Sequence, residues 1–275
     1  MHKRVPLGHI KLDIGTRPIH AMHDFFLNYT FENELNWGIL RLIVNIFLKE
    51  LARKHLNLQV KLAKGDVFVE TQFKYYMDST NTAKSQDFRL EPVDGNAIFY
   101  CEFQNRATTN PPIKLRAIDY QTLGIKHGRC KPTRQIWLLA EDVDELLCRS
   151  GFACFVTKDE ISGSAYPLDT SLIFVSLTKL SEGRNEASEL ASFLLGKGKK
   201  IRSTRVKRIS AVFKRSLKLF CKDKGVRTRM SVAEKYWEEG REVGIAEGVK
   251  RVAELISSGY AIEEALKIAS GEESE

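Results

Sequence analysis

The chain has 275 residues, of which 43% are hydrophobic, and this suits one main domain with an appendage. Its longest apolar run is interrupted by Arg41 and Asn45, and its N-terminus lacks the apolar core of a secretory signal. The sequence therefore predicts neither a membrane span nor export. Its five cysteines have no paired spacing, which favours reduced thiols over a zinc site and predicts a cytoplasmic protein.

The net charge of +8 is concentrated in one stretch. Residues 197–229 contain 14 Lys and Arg side chains and a single acid, Asp223, for a local charge of +13. Such a block favours a polyanion through phosphate neutralisation and counterion release. It predicts DNA binding, with a solvated basic helix as the alternative. The candidate DNA-binding residues are Lys199, Lys200, Arg202, Arg205, Lys207, Arg208, Lys214 and Arg215.

Hydrophobic periodicity predicts the elements in chain order after an irregular leader over 1–20. The predicted segments are a helical region over 22–56, a strand over 67–77, a loop over 78–86, a β-hairpin over 87–105, a helix over 113–128, strands over 134–142, 151–157 and 171–180, and a helix over 185–196. The helix between the hairpin and the next strand predicts a parallel, right-handed crossover. We therefore expect an α/β fold with a mixed central sheet flanked by helices.

The last part of the chain has a helical pattern of its own. Two periodic segments are separated near residue 258, and Gly240, Gly244 and Gly248 lie along one helix face, where they permit close helix approach. Acids outnumber lysines over 254–269, which disfavours DNA contact and favours homo-oligomerisation. The predicted organisation is a core domain over 1–195, a basic segment over 196–229 and a helical C-terminal tail over 230–275.

The hairpin brings two carboxylates together. With Asp94 and Gly95 as a two-residue loop, Phe88 faces Cys101 and Asp87 faces Glu102. A four-residue loop keeps this register, whereas a three-residue loop destroys it. Directly opposed residues share a face with Cβ atoms about 4.5–5.5 Å apart. Gln104 follows on the same face, while Phe99, Cys101 and Phe103 point the other way into a core.

Opposed carboxylates repel, so a shared proton, a neighbouring cation or a bound divalent metal must compensate their charge. A hard cation such as Mg²⁺ takes oxygen ligands and would suit two carboxylates with a substrate phosphate. The alternative is a charged surface on which Arg89 or Arg106 neutralises the acids. No phosphate-binding loop of the G-x-x-x-x-G-K-[ST] type is present, which predicts no nucleotide cofactor.

At these residues the sequence resembles the PD-(D/E)XK nuclease superfamily, and within it the Rpn family of recombination-promoting nucleases, also described as putative transposases. Asp87 matches the first acid of the motif, and Glu102-Phe103-Gln104 matches the E-x-Q form of its second part. Arg116 and Tyr120 match an R-x-x-x-Y pattern on the following helix. His23-Asp24 is similar to an N-terminal motif, although the Phe-Lys that usually follows is absent. The glycine-spaced tail is also similar.

The resemblance implies a restriction-endonuclease-like core and a role for each matching residue. Asp87 and Glu102 would hold Mg²⁺, with the backbone carbonyl of Phe103 as a third ligand. Gln104 would orient the attacking water, and its departure from the usual lysine puts the rate in doubt because a neutral amide stabilises developing charge poorly. Further implied candidates are Arg116 and Tyr120 as phosphate contacts, and Glu34, Asp24 or Glu32 as an acid from the first helix.

We therefore expect a metal-dependent DNA endonuclease that is linked to recombination or mobile-element activity. One alternative is a catalytically silent DNA-binding or regulatory protein with the same fold, and another is an RNA-directed nuclease. For Arg116 and Tyr120 the structural alternative is that Tyr120 packs in the core while Arg116 pairs with Glu102.

Overall fold

A computed structural model describes the chain over residues 21–22, 24–55, 62–76, 83–94, 97–105, 112–127, 131–142, 150–156, 170–223, 225, 247–258 and 260–264. The chain divides into two compact units, Met1–Lys222 and Asp223–Glu275. The helix formed by the basic segment belongs to the first unit. The predicted leader over 1–20 lies outside the described residues.

The first unit is built on one mixed, six-stranded sheet. The strands are β1 (Val67–Tyr76), β2 (Ala83–Pro92), β3 (Ile98–Gln104), β4 (Thr133–Leu139), β5 (Phe152–Val156) and β6 (Ser171–Ser176). Their order across the sheet is β1-β2-β3-β4-β6-β5. The β3–β4 and β4–β6 pairs are parallel, and the other pairs are antiparallel. The predicted α/β class and the predicted parallel crossover after the hairpin are therefore confirmed.

In the described part of the first unit, six α-helices accompany the sheet. They are α1 (Asp24–Phe31), α2 (Trp37–Lys54), α3 (Ile113–His127), α4 (Leu177–Ser181), α5 (Glu186–Leu194) and α6 (Thr204–Lys222). The predicted helical region over 22–56 is thus two helices with a short 3-10 turn between them. The side-chain amide of Asn36 donates to the carbonyl of Thr30 over 2.7 Å and so satisfies a backbone acceptor at the end of α1.

On one face of the sheet, aromatic side chains pack between the strands and the helices α1 and α6. Phe88 of β2 contacts Phe103 of β3 and Phe31 at the end of α1, with ring centroids 5.7 and 5.3 Å apart. Phe31 in turn contacts Phe213 of α6 at 6.0 Å. The sequence of contacts therefore runs from the sheet through α1 to α6, and α6 packs against α1, α2 and α5.

The other face of the sheet carries α3. Ile113, Ala117 and Tyr120 of this helix form a buried cluster with Trp137 and other apolar side chains of β4 and β6. The rings of Tyr120 and Trp137 stack with centroids 5.7 Å apart. Since Trp137 is the β4 neighbour of Glu102, α3 lies on the face that Glu102 shares.

The structure confirms the predicted register of the hairpin. Phe88 pairs with Cys101 and Leu90 pairs with Phe99, as the loop centred on Asp94 and Gly95 requires. Gly95 itself lies outside the described residues. The alternation of side chains then leaves the apolar residues on the α1 face and the carboxylates on the α3 face.

Three predicted segments differ from the structure. The predicted strand over 134–142 is wrong for its last three residues, since β4 ends at Leu139. The predicted loop over 78–86 is wrong for its last four residues, since β2 begins at Ala83 and these polar residues pair with the end of β1. The predicted strand over 171–180 is wrong for its second half. There the side chain of Ser176 accepts a hydrogen bond from the backbone of Lys179 and caps α4, so the apolar run changes from strand to helix.

The start of α6 is held against α5 by hydrogen bonds. Helix α5 ends in a Schellman turn, in which Gly196 has a φ of 68° and Lys197 donates from its backbone to the carbonyl of Ser192 at 2.8 Å. The buried carboxylate of Glu189 then accepts from the backbone N–H groups of Arg202 and Ser203, both at 2.8 Å. The basic helix is therefore held in place by α5.

The second unit is described over residues 223, 225, 247–258 and 260–264. Residues 247–257 form a helix, and the backbone N–H of Tyr260 donates to the carbonyl of Leu255 just past its end. This agrees with the predicted break near residue 258. Gly240 and Gly244 lie outside the described residues, so self-association through the tail stays a prediction. Across the described parts of the chain, no helix combines the length and apolarity needed to cross a membrane.

A backbone irregularity interrupts the pairing of β1 with β2. Thr71 pairs with Phe88 and Phe73 pairs with Gln86, which leaves Gln72 opposite Asp87. Gln72 has a φ of 50°, the one positive value for a non-glycine residue in the described ranges. A conformation of this kind costs on the order of 1–3 kcal/mol and occurs most often near functional sites.

Replacing Gln72 by glycine should relieve this strain. Glycine inside a strand normally costs about 0.5–1 kcal/mol, so we expect Gln72→Gly to leave the free energy of unfolding unchanged or slightly raised. Thr71→Gly, at the neighbouring regular position, should lower it by about 1 kcal/mol. Urea unfolding of both variants measures the difference. Equal losses in the two variants would contradict a strained backbone at Gln72.

Candidate functional site

The predicted carboxylates meet between β2 and β3, one step beyond the Phe88–Cys101 pair. Asp87 Oδ2 accepts a hydrogen bond from the backbone N–H of Phe103 at 2.8 Å. Glu102 Oε2 accepts one from the backbone N–H of Asp87 at 3.1 Å. Each carboxylate thus bonds to the backbone of the opposite strand, and the two acids are held together by these reciprocal contacts.

Arg116 on α3 compensates the charge of Glu102. Its Nη2 donates to Glu102 Oε1 at 3.1 Å, and its Nη1 donates to Gln104 Oε1 at 3.2 Å. The guanidinium lies 5.5 Å from the ring centroid of Trp137 and 5.8 Å from that of Tyr120. The planar guanidinium of Arg116 can bridge two acceptors while lying against aromatic rings, and the ammonium group of a lysine could not do both.

The structural alternative for Arg116 and Tyr120 is therefore present in the structure. Tyr120 is 8% exposed and packs in the α3 core, while Arg116 pairs with Glu102. Arg89, the other cation proposed to neutralise the acids, forms ion pairs with Glu70 and Glu91. Arg106 lies outside the described residues. A catalytic role for Arg116 and Tyr120 stays a prediction.

The environment of the site changes the ionisation of two neighbouring side chains. Burial raises the pKa of Tyr120, and the charge of Glu102 raises it further, against the opposing effect of Arg116. Burial also raises the pKa of the Cys101 thiol, with smaller contributions from the charges of Asp87 and Glu102. Neither group is ionised near neutral pH, so Tyr120 can serve as a hydrogen-bond donor and Cys101 is not a thiolate nucleophile.

Two features near the carboxylates were not anticipated from the sequence. The strained residue Gln72 lies opposite Asp87, so the ladder is interrupted on the β1 side of Asp87 as well. On the α3 face of β4, the indole N–H of Trp137 and both amide atoms of Gln135 are buried and have no hydrogen-bond partner within the described ranges. Buried polar atoms of this kind usually bond to ordered water or a ligand. No local sequence pattern marks either feature.

The oxygen atoms at this site are of the chemical type that binds a hard divalent cation. Asp87, Glu102 and the amide of Gln104 present oxygen atoms, the ligands that Mg²⁺ prefers, and Mg²⁺ commonly needs only one or two carboxylates beside water and phosphate. Within the ranges described, no group of three or more His, Cys, Asp or Glu side chains is close enough to hold a metal ion. A carbonyl ligand from Phe103 stays a prediction.

The expected acid from the first helix is not identified by the structure. Glu32 and Glu34 are exposed in and beside the turn between α1 and α2, and the side chain of Asp24 lies outside the described residues. A buried acid does occur on α2. Glu50 pairs with Arg53 at 2.6 Å and accepts from Asn185 at 2.9 Å, which ties α2 to the start of α5.

The predicted DNA-binding residues divide into two groups. Lys199 is structural, since its ammonium donates to the carbonyl of Ser181 at 3.0 Å and to the hydroxyl of Ser188 at 2.6 Å. Arg205 forms an ion pair with Glu186. The remaining candidates are exposed: Lys200, Arg202, Lys207, Arg208, Lys214 and Arg215. Four of these lie on α6, which packs on the aromatic face of the sheet and away from α3.

Comparisons of the chain with protein-family models, with curated proteins and with solved structures gave no match. The functional argument therefore depends on the geometry of the site and on the motifs in the sequence.

The raised pKa of Tyr120 predicts a loss of stability at alkaline pH. In the unfolded chain tyrosine ionises near pH 10, whereas the folded state holds Tyr120 neutral to a higher pH. The free energy of unfolding should therefore be fully retained below about pH 10 and fall as the pH rises through the folded pKa. Tyr120→Phe should reduce this fall in urea unfolding between pH 8 and 11. Tyr260→Phe, at an exposed position, is the control, and equal slopes for all three proteins would contradict the assignment.

Proposed function

We propose that this chain is a metal-dependent DNA endonuclease of the PD-(D/E)XK type that hydrolyses phosphodiester bonds and acts in recombination or mobile-element processes. The single observation that supports the proposal most strongly is the pair formed by Asp87 and Glu102, whose carboxylates bond crosswise to the opposite strands. A restriction-endonuclease-like core is part of the proposal, and the mixed sheet with helices on both faces supports it.

Asp87, Glu102 and the carbonyl of Phe103 would hold the cation in this proposal. When bound there, Mg²⁺ would lower the pKa of a coordinated water and stabilise negative charge on the scissile phosphate. The crosswise hydrogen bonds orient one oxygen of each carboxylate toward the backbone. Asp87 Oδ1 and Glu102 Oε1 are then the oxygens that would bind a cation. In this structure Arg116 donates to Glu102 Oε1.

Arg116 would exchange partners during the reaction. It neutralises Glu102 in this structure. With a cation held by Asp87 and Glu102, its fork of donors would be free to bind two oxygens of a phosphate. Gln104 contributes a neutral amide, which orients water but adds no charge. Because Arg116 bonds Gln104 at 3.2 Å, a positive charge stands next to the position where the motif usually has lysine.

The competing proposal is a catalytically silent DNA-binding or regulatory protein that keeps the fold. The ion pair between Arg116 and Glu102 favours it, because the carboxylate is already compensated without a metal. The two proposals differ in cleavage rather than in DNA binding. An RNA-directed nuclease is separated by offering DNA and RNA of the same sequence.

The first test is nicking of supercoiled plasmid by the purified chain with Mg²⁺ and with EDTA. We expect nicking that needs Mg²⁺ and falls by on the order of 100-fold or more in Asp87→Asn and in Glu102→Gln, because each removes a metal-binding charge. Glu91→Gln, on the same strand as Asp87 but paired with Lys131, is the matched control. Nicking that survives both site substitutions would place the chemistry elsewhere, and no nicking by the wild type would favour the silent protein.

The exchange of partners by Arg116 has a separate test. Arg116→Gln removes the charge that competes for Glu102, so Mn²⁺ or Mg²⁺ should bind more tightly, on the order of tenfold. Isothermal titration calorimetry measures this affinity, and the melting temperature shows whether the variant folds. Arg205→Gln removes a paired arginine from α6 and should leave the affinity unchanged. Unchanged or weaker cation binding in folded Arg116→Gln would rule out the competition.

A further inference from the structure

The basic helix α6 has two sharply different faces. One face is buried against α1, α2 and α5, where it contributes Val206, Ile209, Phe213, Leu217 and Phe220. The helix contains no acidic residue. Its other face carries six exposed cations, namely Lys207, Arg208, Lys214, Arg215, Lys218 and Lys222.

Among the residues that the structure describes, none forms an ion pair with these six cations. In the part of the chain that the structure describes, Arg205 is the cation of α6 that forms an ion pair, and its partner is Glu186 of α5. The exposed face therefore presents a charge of +6 along a rigid element. A helix of this length extends over about 28 Å, which spans many phosphates of a nucleic-acid duplex.

The exposed face of α6 and the carboxylate pair lie on opposite sides of the sheet. Contacts lead from Phe88 through Phe31 to Phe213, so α6 is stacked on the aromatic face. Glu102 shares the other face with Trp137 and α3. The cations of α6 therefore point away from the carboxylates.

The chemistry of α6 suits duplex DNA better than a lipid surface. An interfacial helix needs an apolar face to insert among lipids, but the apolar face of α6 is buried in the core. Leu219, 52% exposed, is the large hydrophobic side chain that α6 leaves to solvent. Binding to regularly spaced phosphates instead requires charge alone, and the release of counterions adds to the affinity.

We propose that α6 is a separate DNA-binding surface, which contacts the phosphate backbone of a duplex segment other than the one at the carboxylates. The inference rests on the proposed function for the choice of DNA as the polyanion. Duplex DNA has a persistence length of about 150 bp, so a short duplex behaves as a rod and reaches one side of the sheet only. Two segments, or one long and bent molecule, are needed to occupy both surfaces.

The test is fluorescence anisotropy of a labelled duplex of about 16 bp, a rod on this scale, titrated with the full chain in EDTA at several salt concentrations. Lys214→Gln/Lys218→Gln removes two cations from α6. The matched control, Lys49→Gln/Lys64→Gln, removes two exposed lysines outside α6. Glu102→Gln tests the carboxylate side. An RNA duplex of the same sequence and vesicles containing anionic lipid are offered in parallel.

We expect the α6 variant to bind roughly tenfold more weakly near 0.1 M salt, and its plot of log affinity against log salt to be shallower by about 1.8, or 0.9 for each lost contact. The control and Glu102→Gln should match the wild type. An unchanged slope in the α6 variant, an equal loss in the control, or tighter binding of RNA or vesicles would overturn the proposal.

Cleavage separates this inference from the proposed function. Where the wild type cleaves a short duplex, the α6 variant should cleave it at the same rate under saturation, since that duplex lies on the other side of the sheet. An equal loss of cleavage would place the cleaved segment on α6 and overturn the second surface. Absence of cleavage by the wild type refutes the endonuclease, while the anisotropy in EDTA still decides whether α6 binds DNA.

Discussion

The arrangement of the site depends on the reciprocal hydrogen bonds between the carboxylates of Asp87 and Glu102 and the backbones of opposite strands. Each carboxylate satisfies an N–H group that the ladder would otherwise pair, so two acids can stand between neighbouring strands without leaving a buried donor unpaired. The regular register resumes at Phe88 and Cys101. The aromatic core beneath is therefore undisturbed by the charges above it.

The sheet separates two kinds of environment. On the α3 side, Glu102 is compensated by a guanidinium that stacks near Trp137 and Tyr120. On the opposite side, edge-to-face aromatic contacts connect the sheet to α6. Burying the apolar face of α6 forces its cations outward, because an amphipathic helix cannot bury one face without presenting the other. The carboxylate pair and the cations of α6 therefore lie on opposite sides of the sheet.

The balance of charge at Glu102 bears on both proposed functions. A buried ion pair with one partner on a helix is stable without metal, yet removal of either partner leaves an uncompensated charge. Arg116 reaches Glu102 from α3 rather than from the hairpin, so the compensating charge and the carboxylates belong to separate elements. This separation is what would permit a cation to replace the guanidinium. The same contact also gives Gln104 a neighbouring positive charge that its own amide lacks.

The sequence by itself determined the α/β class, the hairpin register and the helix that follows it. A side-chain period of two and an Asp-Gly turn leave one pairing that buries the apolar residues, and both signals are local. Polar residues from Ala83 onward, by contrast, become a strand because β1 offers them a partner, and Ser176 ends β6 by capping a helix. The β-strand at Ala83 and the end of β6 at Ser176 therefore cannot be predicted from local propensity, because they depend on pairing and packing.

Only the tertiary structure decided how the charges are compensated and where the basic helix lies. Arg116 and Glu102 are 14 residues apart and meet because α3 packs on the face of the sheet that Glu102 occupies. The strain at Gln72 arises from pairing across two strands and has no signature in its own sequence neighbourhood. Composition identified α6 as basic, but the side of the sheet on which a helix packs depends on contacts between residues far apart in the chain.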